Sequence, residues 1–158
     1  MITQDNFRKV LSKLGFVEID KNVLIKSFDN FELKADFTNG TLIYPENAGF
    51  KINERQTCNF SHNENFVVFE CVCRLFEKGY LPKHIELEPK WKLGHGASGG
   101  RADILVRNND NKTLLIIECK TFGEEFEKEW KNMQENGGAV VFIFSTRRRC
   151  SVFGSLYL

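Results

Sequence analysis

The chain has 158 residues, 42% of them apolar and fifteen of them phenylalanine, enough to bury the core of one domain and too apolar for a disordered chain. Its formal net charge is only +1, so no global positive field exists and any contact with nucleic acid must come from a local patch. Five cysteines in irregular spacing suit reduced thiols better than a disulfide framework, and no apolar run suggests export or membrane insertion, so a cytoplasmic protein is expected.

Phe7, Val10, Leu11 and Leu14 fall on one helical face, which predicts a helix over residues 4 to 14 ended by Gly15. The runs VLIKSF, FELKADF and TLIYP, separated by Asp29-Asn30 and Asn39-Gly40, predict a small β meander. Residues 46 to 65 are polar and rich in asparagine. They read as a connection with no functional role, pinned by Phe50, Ile52 and Phe60.

Residues 63 to 79 predict a strongly apolar helix, FVVFECVCRLF, capped by Asn63 or Ser61 and closed by Gly79, with the acid Glu70 among apolar neighbours. Cys71 and Cys73 lie two apart on it and point to different sides, a poor geometry for shared zinc ligation. There follow a strand HIELEP, a glycine-rich loop Gly94 to Gly100, a strand ADILV, a turn at Asn108 to Asn111 and a strand TLLIIECK. Thr121 and Glu124 form a capping box for a helix whose Phe126, Trp130 and Met133 face inward.

A hairpin centred between Asp110 and Asn111 sets Asp103 opposite Glu118 on one face. Two anions so placed repel, the more so between the apolar ILV and LLII runs. Lys120 shares the Glu118 face by strand alternation, yet one lysine does not balance two acids. A hard divalent cation does, and magnesium binds through one or two carboxylates plus water and phosphate. The site therefore reads as Asp103 and Glu118 with the Cys119 backbone carbonyl as metal ligands and Lys120 as the group that orients water or stabilises phosphate. The chemistry is hydrolysis of a phosphodiester. Magnesium is the expected cofactor, with manganese as its substitute. The plain alternative is an ordinary Glu118–Lys120 ion pair at a sheet surface.

The stretch ENFVVFECVCRLFEKGYLPKHIELEPKWKLGHGASGGRADILV, then LLIIECKT, then EW and QENGG, resembles the PD-(D/E)xK nuclease superfamily over residues 64 to 138. Within it, the stretch resembles specifically the amino-terminal nuclease domain of type IIG and type I restriction enzymes. The resemblance implies an α/β (α+β) restriction-endonuclease-like core with a central mixed sheet flanked by helices. It implies that Asp103, Glu118 and Lys120 are catalytic, that Glu70 is the supporting first-helix acid, and that double-stranded DNA is the substrate. It further implies a fused or associated DNA methyltransferase and specificity region, of which no motif occurs here. A DNA repair or recombination nuclease uses the same acids, and an inactive DNA-binding module is the non-enzymatic alternative.

Gly94-His95-Gly96-Ala97-Ser98-Gly99 spells the G-x-G-x-x-G dinucleotide fingerprint, but a strand rather than a helix is expected after it, which argues against nucleotide binding. The loop is read instead as an approach to the site, with Lys92, Ser98 and Arg101 as candidate contacts to DNA phosphate.

One nuclease domain is expected: residues 1 to 60 as helix and meander, 61 to 138 as catalytic core, and 139 to 158 as a tail that departs from the pattern. Back-translated with A/T-rich codons and read one base later, the tail becomes QLFSYFQQDEDVVFLVLYT, an amphipathic helix, a charged break and an apolar strand. Its QLFSY matches the Q-x-x-x-Y element of RecB-like members of the superfamily. The expectation is a guanine tract at Gly137, Gly138 and the first base of Ala139 that slips, giving a truncated product with weak or no activity alone. A gene with no guanine run or no open shifted frame ends that idea. The alternative is a native strand over 139 to 146 followed by a solvated basic patch at Arg147 to Arg149.

Overall fold

Helix α1 (Gln4–Lys13) buries Phe7 and Leu11, four residues apart and hence on one face. Gly15 ends it with φ +83°, a left-handed conformation that lets the Phe16 N–H return to the Leu11 carbonyl. The computed structural model describes residues 2–91, 100–120, 124, 127, 128, 131 and 141–144.

Four antiparallel strands follow, β1 (Val17–Asp20), β2 (Val23–Ser27), β3 (Glu32–Asp36) and β4 (Thr41–Ile43), in spatial order β1-β2-β3-β4. The last three are the predicted meander. β1 is additional: it is an edge strand exposed along its whole length, with Val17 and Ile19 in solvent, so it lacks the burial alternation that marks a strand in sequence. Leu24, Ala35 and Leu42 pair across β2, β3 and β4 and turn the sheet's apolar face inward.

Helix α2 (Asn63–Glu77) is buried without a break from Asn65 to Cys73, because it lies between two layers. Phe66, Phe69 and Phe76 meet the first layer. Phe66 stacks on Phe7 with ring centroids 4.4 Å apart, Phe69 meets Tyr44, and Phe76 meets Phe28, Phe31 and Phe50. On another side the Cys71 thiol meets that of Cys119 in the second layer. The residue at the N-cap is His62, and no side chain makes the capping bond expected of Asn63 or Ser61.

That second layer is a mixed sheet in the order β11-β10-β9-β6-β5, made of β5 (Lys51–Ile52), β6 (Ile85–Leu87), β9 (Ile104–Arg107), β10 (Thr113–Cys119) and β11 (Val141–Phe144). Its centre is antiparallel and both outer pairs are parallel. Between β6 and β9 a small antiparallel pair, β7 (Lys90–Trp91) and β8 (Gly100–Arg101), brackets the glycine-rich loop, so a strand does follow the G-x-G-x-x-G run. The described architecture is thus a mixed α and β fold.

Glu124, Glu127, Lys128 and Lys131 are helical and exposed, while Thr121, Phe126, Trp130 and Met133 lie outside the described residues. Within the tail, Val141–Phe144 forms β11 parallel to β10, part of the strand expected over 139 to 146 if the tail is native. Arg147 to Arg149 lie outside the described residues. Among the described residues no helix is long and apolar enough to cross a membrane.

Candidate active site

The β9–β10 hairpin has the register that symmetry about Asp110 and Asn111 requires, with Ile104 opposite Ile117, Leu105 opposite Ile116 and Val106 opposite Leu115. A bulge between Thr113 and Leu115 absorbs one residue near the turn, where Asn111 has φ 62° and the Asn108 side chain accepts from the N–H groups of Asp110 and Lys112. β9 starts at Ile104, later than expected, so Asp103 stands just outside the ladder. Its carboxylate accepts the Cys119 N–H at 2.5 Å, which fixes it against the end of β10.

Glu118 lies in β10 and Lys120 just past its end, and Lys120 Nζ lies 2.7 Å from Glu118 Oε1. Burial, helped by the negative charge of Glu118, pushes the Asp103 carboxyl up to about 7 despite the Cys119 N–H and the Lys120 charge. Burial works against the charge of Lys120, but its bond to Glu118 and the nearby charges of Glu118, Glu64 and Asp103 outweigh it, and the ammonium is held charged above its ordinary range. The centre therefore carries more negative than positive charge.

Helix α2 contributes the second acid that meets Lys120. Glu64, in its first turn, lies 3.3 Å from Lys120 Nζ. Glu70, expected from the resemblance to support the site, does not line the cleft. It is buried, and one carboxylate oxygen is bound by the Arg74 guanidinium one turn along the same helix. Six residues of helix separate Glu64 from Glu70, roughly 240° around the axis, so one helix cannot send both to the same cleft.

The polar connection read as functionally silent forms the other wall. Asp103, Glu118 and Lys120 open into a cleft of about 480 Å³ that Gln56, Thr57, Ser61 and His62 also line. The wall is tied down by Asn65, whose buried side-chain amide donates to the carbonyls of Gln56 and Asn59, both at 2.9 Å. Its polar residues carry no motif, and the signal that could have found them is this one buried asparagine at the start of an otherwise apolar helix.

The residues present suit a hard divalent cation. Two carboxylates beside an excess of negative charge, with the Cys119 backbone between them and the lysine, offer oxygen rather than sulfur or nitrogen. Among the described residues no three His, Cys, Asp or Glu side chains are gathered to enclose a metal, so an ion here keeps water or substrate oxygen for most of its ligands, as magnesium does. Cys119 turns its own thiol into the core. Of the candidate DNA contacts, Lys92 and Ser98 lie outside the described residues, and Arg101 is placed as backbone in β8. No protein-family model matches the chain, and no curated protein matches it.

Proposed function

We propose that the chain is a magnesium-dependent DNA endonuclease domain of the PD-(D/E)xK type, belonging to a bacterial restriction-modification enzyme. The observation that carries this reading is the meeting of Asp103, Glu118, Lys120 and Glu64 at one open cleft, with the Asp103 carboxyl pushed up to about 7 by burial and by Glu118. A centre so rich in negative charge calls for a cation, and an open cleft of this size leaves room for a phosphodiester beside it. The restriction setting rests on the resemblance over residues 64 to 138, and in it a fused or associated methyltransferase and specificity region delivers the nuclease to its site.

Asp103 and Glu118, with the Cys119 carbonyl, would hold magnesium or manganese. When bound, such an ion acidifies a water and offsets charge on the phosphate. Lys120 is held charged and aimed by two carboxylates, Glu118 and Glu64, so it is ready to donate to the attacking water or to a phosphate oxygen. The Cys119 N–H would hold the Asp103 carboxylate toward the ion.

The test is cleavage of a quenched fluorescent duplex by the purified chain in magnesium, beside Glu118→Ala. Metal-dependent cleavage that the variant loses supports the reading. Equal cleavage by both, or DNA binding that ignores magnesium with no cleavage by the chain or by a version carrying the shifted-frame tail, overturns it.

A further inference from the structure

At the same end of three neighbouring strands stands an acid: Glu88 just after β6, Asp103 just before β9 and Glu118 near the end of β10. Continuing by one residue the registers that pair Leu87 with Ile104 and Ile104 with Ile117 brings Glu88, Asp103 and Glu118 into a single row. Main-chain bonds hold the row together: the Glu88 N–H donates to the Asp103 carbonyl at 2.9 Å, and the Asp103 N–H to the Ile117 carbonyl at 3.1 Å.

Like charges on adjacent strands repel, and Glu88 adds a backbone cost of its own, since its φ of +50° lies in the left-handed region that glycine or asparagine takes more readily. Glu88 nevertheless lines the same cleft as Asp103, Glu118 and Lys120. A separate observation points to a ligand in that cleft. The Thr57 hydroxyl, on the facing wall, is buried without a hydrogen-bond partner, and the adjacent Cys58 thiol is too weak a partner to satisfy it.

We propose that Glu88 is a third carboxylate of the cation centre, acting on a divalent ion through its charge and its water shell rather than as an inner ligand. The inference rests on the proposed nuclease reading for the presence of the ion. Magnesium and manganese keep water when bound to few protein ligands, and outer carboxylates that hold such water set metal affinity.

Titration of the whole chain with Mn²⁺ alone, followed by calorimetry without DNA, tests this in the parent, Glu118→Gln and Glu88→Gln. The parent should bind. Glu118→Gln should lose binding, and Glu88→Gln should bind about tenfold more weakly while keeping the parent's circular dichroism and melting temperature. Glu88→Asp, which retains the charge, should keep most of the affinity. Glu88→Ala carries the same expectation as the glutamine variant should the latter fail to fold. Parental affinity in Glu88→Gln together with loss in Glu118→Gln overturns the role of Glu88 and leaves the nuclease reading standing. A parent that binds no Mn²⁺ overturns both.

Discussion

The Asp103 carboxylate is held by the Cys119 N–H and made costly by its surroundings. The Cys119 N–H at 2.5 Å favours its charged form, but burial and Glu118 prevail and push the carboxyl up to about 7, from an ordinary value of 3.8. The unfolded chain therefore loses this proton first as pH rises. Between about pH 4 and 7 the folded state is progressively penalised, and above pH 7 the full cost is present. Asp103→Asn should match the parent below this window and be more stable by about 2–4 kcal/mol above it, in chelator, a gain read from thermal unfolding at pH 3.5 and pH 8. Equal gains at both pH values would refute this origin.

Lys120 faces the opposite situation, with two acids and one positive charge. Removing it by Lys120→Ala should cut the cleavage rate by about 10²–10⁴, as for loss of a group that stabilises developing charge. Glu64→Gln should cost less, about tenfold, because Glu118 still orients the ammonium. Rate measurements at saturating magnesium separate the two; a larger loss for Glu64→Gln would make Glu64 more than an orienting group.

Among the elements, α2 has the most tasks: its aromatic side builds the core against the meander, its first turn brings Glu64 to Lys120, and its Asn65 holds the 55 to 62 wall. Asn65→Ala removes the donor to two carbonyls at a partly buried site and should cost about 1–2 kcal/mol. The same variant should speed hydrogen exchange at residues 57 to 62 while leaving β9 and β10 protected, which mass spectrometry of exchanged peptides can follow. Uniform loss of protection would mean that the wall is not a separate unit. The apolar helix and the central strands were legible because their runs are long and regular. β1 was not, since an exposed edge strand has no buried face to write a pattern. The wall was not, because its fold is set by Asn65 reaching back to the Gln56 and Asn59 carbonyls, a contact that no local periodicity encodes. Glu70 drew attention because an acid in an apolar run is conspicuous. Which helical acid meets Lys120 is decided by rotation about the axis, and that placed Glu64 there instead.

At the scale of the molecule, α2 lies between the meander and the mixed sheet, and the ends of β9 and β10 open beside the start of that helix. The hairpin register was legible from the symmetry of one turn, so the neighbourhood of Asp103, Glu118 and Lys120 could be read before the fold was known. The contribution of Glu88 could not, because its place in the row depends on β6 pairing with β9 across the intervening glycine-rich loop. β11 likewise joins β10 from far along the chain, and a tail strand there gives the sheet a parallel edge.

The most direct test of the account is plasmid cleavage by the purified chain in magnesium and in chelator, with Glu118→Ala and a version carrying the shifted-frame tail alongside. The account predicts nicked or linear plasmid in magnesium from the parent or from the restored-tail version, and intact plasmid in chelator and with Glu118→Ala. Intact plasmid from both versions in magnesium, or cutting that persists in chelator or in Glu118→Ala, would contradict it.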